Sequence, residues 1–183
     1  MLNSDQSKLL NLRTLKFLRQ NPNVTRILVK DAGLDISRVE TIIEPIIDAP
    51  KRCEVSSFYL QAVTTGRTAF LATNLPDICD IFVTDVSAGW VIGRDSTCAI
   101  TIADQAISRL HAAIGHRPGE GFYITDVGST NGTRVNGRRL KPQIAYAIAD
   151  GDLLEFSNLR VEFFVSGFLQ LVNPNQDTFV GSA

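Results

Sequence analysis

The sequence predicts a mainly β protein, an antiparallel β-sandwich preceded by a small α-helical N-terminal region. From Ile78 onward, short runs of β-branched and aromatic residues alternate with clusters of Gly, Asn, Asp and Ser, the texture of strands joined by turns. Up to about Asp48 the apolar residues recur instead at helical spacing. No helical pattern in the second half is long enough for a βαβ crossover, which leaves a sandwich as the expected architecture.

Taking the elements in order, Ser4 or Asp5 can cap a first helix that runs to about Arg19 and stops before Asn21-Pro22, because proline restricts the residue ahead of it. Leu9, Leu12 and Leu15 point one way on that helix while Leu10, Phe17 and Leu18 point others, so it needs burial on several sides or a partner chain. A second helix is expected to start at Asp35 as N-cap, with Leu34 and Val39 forming a hydrophobic staple. Ile36, Val39, Ile43, Ile46 and Ile47 share one of its stripes, and Pro45 should kink or end it near Glu44. Val24, Ile27, Leu28 and Gly33 with this helix could form a helix-turn-helix. Against DNA binding, its recognition helix carries Arg38 as its single basic residue beside Asp35, Glu40 and Glu44.

Residues 1–50 therefore form a helical region, 51–75 a linker or structured bridge with mixed signals, and 76–167 the sandwich. A tail follows over 168–183. Strands are expected at Ile81–Val83, Trp90–Ile92, Ile100–Ile102, His111–Ile114, Phe122–Ile124, Leu153–Phe156 and Val161–Val165. On such a scaffold function resides in the loops.

Charge and composition narrow the function. Eighteen basic residues against nineteen acidic leave a net charge of -1, so no overall field draws the chain to nucleic acid or an anionic membrane, and any anion binding must be local. Cys53, Cys79 and Cys98 are odd in number and widely spaced, fitting neither a disulfide framework nor a zinc site, so a reducing cytoplasm is the expected compartment. The N-terminus lacks the pattern of a secretory signal, and no apolar run approaches the roughly 20 residues of a membrane span.

The informative residues fall in three loops: Gly93-Arg94, Ser108-Arg109-Leu110-His111, and Asp126-Val127-Gly128-Ser129-Thr130-Asn131-Gly132-Thr133. They follow a strand ending Val91-Ile92 and precede a Val135-Asn136-Gly137 turn and an Asp150-Gly151-Asp152 segment. In this order they resemble the signature of the forkhead-associated (FHA) family over roughly residues 75–167, which implies an FHA/SMAD-like sandwich that binds phosphothreonine peptides. A phosphothreonine carries nearly two negative charges and three acceptor oxygens, so its reader needs a guanidinium and several neutral donors on rigid loops.

The resemblance implies that Arg94 supplies the charge-assisted bonds, Ser108 a hydroxyl to a second phosphate oxygen, Arg109 a backbone or side-chain contact, and Thr130 closure of the pocket. It implies that Asn131 bonds the peptide main chain, and that the threonine methyl favours phosphothreonine over phosphoserine. The position matching the family's selector of the third residue beyond the phosphothreonine is Ala106, which carries no charge. Gly93, Gly128 and Gly132 are expected to be conformational, and His111 to support the loops from inside.

Enzyme readings find little support. Ser129 lacks a Gly-x-Ser-x-Gly setting and a base, Asp126 reads as a turn former without an acid/base partner, and the Gly128–Gly132 loop lacks the Gly-Lys-Ser/Thr ending of a nucleotide cradle. His111 and His116 do not make a metal cluster. No cofactor or metal is expected. The leading expectation is an adaptor for a Ser/Thr-kinase-phosphorylated partner, with self-association or a second protein through the N-terminal helices. The alternatives are a phosphate-independent assembly subunit and, last, a DNA-linked regulator. Phosphorylated Thr178 entering a neighbouring molecule's pocket is a further variant.

Overall fold

A computed structural model describes residues 4–22, 25–26, 36–64, 69–75, 80–84 and 89–167. The Leu34/Asp35 staple, the helix-turn-helix residues Val24 and 27–33, Cys79 and Thr178 lie outside the described residues. Two helices, α1 (Ser4–Gln20) and α2 (Ile36–Arg52), precede twelve strands among the described residues. These are β1 (Tyr59–Thr64), β2 (Ala69–Thr73), β3 (Asp80–Thr84), β4 (Gly89–Gly93), β5 (Ile100–Thr101) and β6 (Ala112–Arg117). β7 (Gly121–Asp126), β8 (Thr133–Val135), β9 (Arg138–Arg139), β10 (Ala145–Ile148), β11 (Asp152–Phe156) and β12 (Leu159–Gly167) complete them.

The strands form two sheets, one ordered β3-β2-β1-β12-β11-β8-β9 and the other β10-β7-β6-β4-β5. Between them lies the main core, with Leu60, Leu71, Ile92, Ile114, Ile124, Leu154, Phe156 and Phe163 all fully buried. The sandwich is mainly but not wholly antiparallel, since β1 pairs with β12 and β4 with β5 in parallel. The first of these joins Tyr59 to Glu162, about a hundred positions apart, so no local turn chemistry could have announced it. The stretch 51–75, read from sequence as a linker or bridge, holds β1 and β2, and the larger sheet thus begins at Tyr59.

The helices form a third layer. α2 lays Val39, Ile42, Ile43 and Ile46 on the outer face of the larger sheet against Val63, Phe70 and Ala72. Farther along, Ala49 meets Tyr59 and Phe164. Pro45 neither ends nor breaks this helix, which continues to Arg52 and includes Pro50 as well. An interior proline costs about 3 kcal/mol, but ending at Glu44 would release Ile46 and Ala49 from their buried seats, and tertiary burial outweighs the local preference.

α1 packs on α2 through Phe17 and Leu18, and Arg13 reaches Asp48 at 2.7 Å. Its last carbonyls are capped by Asn21 and Thr25. Leu12 and Leu15 remain 64% and 53% exposed.

Two polar clamps bind the helical layer to the sandwich. Arg52 makes a two-pronged contact with Asp150 at 2.8 Å and lies 4.2 Å above the Phe164 ring. The Glu162 carboxylate, almost buried, accepts the backbone N–H groups of Glu54, Val55 and Ser56 at 2.7 to 2.9 Å. Burial alone would push this carboxyl up, yet those three donors hold it below its ordinary value. Glu162→Gln should lose about 2 kcal/mol, because a neutral oxygen holds three orphan N–H groups less strongly; the shift in urea midpoint at neutral pH measures it.

Candidate functional site

The loops β4–β5, β5–β6 and β7–β8 meet at one end of the sandwich around an open depression of about 720 Å³. Arg94, Ser108, Arg109, Thr130 and Asn131 all line it, with Gly128 at its edge. Local hydrogen bonds explain why these loops hold a fixed shape. The Arg94 N–H donates to the Ser108 carbonyl at 2.9 Å, and the Asp95 N–H to the Arg109 carbonyl at 3.0 Å, stitching the end of β4 to the β5–β6 loop. This stitching requires Gly93, because a Cβ there would stand 2.1 Å from the Arg109 carbonyl oxygen.

The Arg94 guanidinium is tethered through Nε, which donates to the Ile107 carbonyl at 3.2 Å. That single bond sets the plane of the fork. Its terminal nitrogens have no ion-pair partner among the described residues. Arg109 lines the same depression, while its carbonyl is spent on Asp95 and on the buried Cys98 thiol. Burial is the main reason the Cys98 thiol is pushed up, which keeps it a neutral packing group.

The third loop is built on Asp126, which is 1% exposed. One carboxylate oxygen accepts the N–H groups of Gly128 and Ser129, both at 2.8 Å, and the other accepts the Ser129 and Thr133 hydroxyls at 2.6 and 2.7 Å. Burial works to raise this carboxyl, and the four donors more than offset it, so it is held low. The aspartate read from sequence as a turn former is thus the hub from which Thr130 and Asn131 project. The left-handed φ of +86° at Gly132 lets the chain leave this loop for β8.

His111 joins the two long loops from beneath. Its Nδ1 accepts the Ser108 N–H at 3.2 Å, so Nε2 carries the proton and faces the Gly132 carbonyl at 3.3 Å. The ring is fully buried and stands edge-on to Phe156, and burial lowers its pKa. A neutral imidazole is the form that both bonds require. Above it, the Thr130 N–H donates to the Ser108 hydroxyl at 3.0 Å, and the Asn131 side-chain amide donates to the Ala106 carbonyl at 2.8 Å.

All five residues expected to face a ligand therefore converge, and the glycines and His111 lie in or under the same loops. Sequence reasoning did not anticipate that Thr97, Gln105 and the half-exposed Leu110 also line the depression. Residues of these types on a surface loop carry no signal of their own. Among the described residues there is no grouping of His, Cys, Asp and Glu that could hold a metal ion, and no helix is long and apolar enough to cross a membrane.

The β-sandwich thus carries an open depression lined by Arg94 and Arg109 on the loops at one end. Residues 90–157 match the family model of the FHA domain. Kanadaptin of Homo sapiens is 31% identical over 87 residues, which cover 42% of this chain and 12% of that protein. An FHA domain-containing protein of Arabidopsis thaliana is 35% identical over 72 residues, covering 38% and 18% respectively. The chain thus spans less than a fifth of the length of either curated relative. Among solved structures, the FHA domain of an Arabidopsis thaliana hypothetical protein is 28% identical with a TM-score of 0.45, covering 63% of this chain and 96% of that one. Both helices, β1 to β3 and β12 lie outside the matched residues.

Proposed function

We propose that this protein is a phosphothreonine-peptide binding adaptor that recognises a Ser/Thr-kinase-phosphorylated partner in the cytoplasm. The observation that carries the reading is the Arg94 fork, planted by its Nε and left open at its terminal nitrogens inside a depression that also holds Arg109 and the neutral polar side chains of Ser108, Thr130 and Asn131. A phosphate seated there takes paired charge-assisted bonds from Arg94. The Ser108 hydroxyl, whose own contact to the Thr130 hydroxyl is a long 3.4 Å, turns to a second phosphate oxygen. Thr130 and Arg109 close the sides. Asn131 keeps its amide on Ala106 and offers its carbonyl oxygen to a peptide N–H. The free thiols of Cys53 and Cys98 suit a reducing compartment.

Titration of matched phosphothreonine, phosphoserine and threonine peptides against wild type and Arg94→Ala tests this. Wild type should prefer the phosphothreonine form, and Arg94→Ala should weaken it about 30- to 100-fold, the worth of one or two hydrogen bonds to a charged group. Equal affinity for phosphorylated and unmodified threonine would overturn the reading. The exposed Leu12 and Leu15 on α1 favour a second contact, assembly with another protein or another copy through the helices. Such assembly persists in Arg94→Ala protein, whereas phosphopeptide-dependent co-purification does not.

A further inference from the structure

Strand register lines up four charged side chains across the larger sheet. Arg139 of β9 lies opposite Arg134 of β8, Arg134 opposite Glu155 of β11, and Glu155 opposite Arg160 of β12. Cross-strand partners share a face, and this row alternates with Thr133, Leu154, Phe156 and Val161, which are buried in the core, so it lies on the outer face. α2 covers the other half of that face. Here Arg139 is exposed and the Arg160 side chain is 62% exposed.

The row is unbalanced in charge. Glu155, its side chain 15% exposed, accepts from Arg160 at 3.3 Å, and no acidic group among the described residues forms an ion pair with Arg134 or Arg139. Two guanidiniums directly opposite across a ladder destabilise it, a cost that an external anion would relieve. The row also comes close to the binding depression: a Cβ at Gly132 would stand 2.7 Å from the Arg139 guanidinium, so Arg139 lies against the chain neighbour of Asn131, which lines the depression. From Arg139 to Arg160 the row crosses three strand spacings, roughly 14 Å, the reach of about four extended residues.

We propose that this arginine row is a docking track for an acidic stretch flanking the phosphothreonine of the bound partner. The track rests on the phosphopeptide reading above and adds to it a preference for glutamate- or aspartate-rich partners. Planar guanidinium forks spaced along a sheet take carboxylates in pairs, and the track orients the peptide outward from Asn131 over β8 and β11.

Fluorescence anisotropy with phosphothreonine peptides carrying a run of glutamates or of glutamines on either side tests it, using wild type, Arg94→Ala and the double variant Arg134→Gln/Arg139→Gln. A glutamate flank should bind wild type roughly 5-fold more tightly than a glutamine flank at about 0.15 M salt, and the advantage should vanish at about 1 M salt. It should vanish likewise in the double variant, whose affinity for the glutamine-flanked peptide stays at the wild-type value. Equal affinity for both flanks in wild type, with binding still weakened by Arg94→Ala, overturns the track alone. Absence of binding to every phosphopeptide overturns the underlying reading and the track with it. A short RNA that displaces the glutamate-flanked peptide more effectively than unlabelled peptide does would assign the row to nucleic acid and overturn the proposal. The flank comparison in wild type stands even if the double variant folds poorly.

Discussion

Removing residues 1–58 should leave a sandwich that melts far below the full chain or does not fold. α2 is the cover for side chains of the larger sheet that point away from the main core. Phe70 is 0% and Val63 2% exposed only because Val39, Ile42, Ile43 and Ile46 lie over them, and Tyr59 and Phe164 depend likewise on Ala49. Returning these four large side chains to water costs about 1.5 to 3 kcal/mol each, so the total approaches the 5 to 15 kcal/mol that holds a typical domain together. The deletion also strips Glu162 of all three backbone donors and Asp150 of Arg52. Circular dichroism melts of residues 59–183 beside the full chain measure this. A truncated protein with an unchanged melting temperature would show that the helices are an appendage. If the melt falls as expected, the folded unit extends beyond the residues that match the family model.

Asp126→Ala should cost about 3 to 5 kcal/mol and abolish phosphopeptide binding together. The substitution leaves two N–H groups and two hydroxyls without their acceptor in a buried site, and the loop carrying Thr130 and Asn131 loses its hub. Denaturant unfolding and peptide titration on the same sample check both halves of the expectation; loss of affinity without loss of stability would mean that the loop is held elsewhere. The same carboxylate sets the acid behaviour. Asp126 and Glu162 are both held below their ordinary values, so the unfolded chain binds protons first as pH falls. Their stabilisation is complete above the unfolded carboxylate range and drains away as pH drops through it toward the folded values. Burial depresses His111 and His116 in the same sense, so decline should begin earlier, below the ordinary histidine value of 6.5. Each buried histidine contributes a slope of at most about 1.4 kcal/mol per pH unit there. Melting temperatures should thus fall from pH 7 to pH 5 and more steeply below, a profile that differential scanning calorimetry follows.

The strands from β3 to β7, together with β11 and β12, were readable because each is a short apolar run, often alternating, set between turn residues. Strands β1 and β2 were not, and burial explains it. Both are buried along nearly their whole length, one face on the sandwich core and the other under α2, so Tyr59–Thr64 and Ala69–Thr73 lack the inside-outside alternation that marks a strand. β8 and β9 are two or three residues long and largely arginine, too short for any period to show.

By itself, then, the sequence determined what short-range chemistry encodes: the helical and β halves, the turn residues, and the ordered loop residues from Gly93 to Thr133 that pointed to an FHA domain. Tertiary structure alone decided what depends on contacts between distant residues. It carried α2 through Pro45, because burial of Ile46 and Ala49 on a sheet formed later in the chain outweighs the local cost. It made Asp126 the hub of a loop, because four donors converge on it only once that loop closes. It also set Arg139, Arg134, Glu155 and Arg160 in one row, because register between strands is fixed by the packing of their opposite, apolar faces.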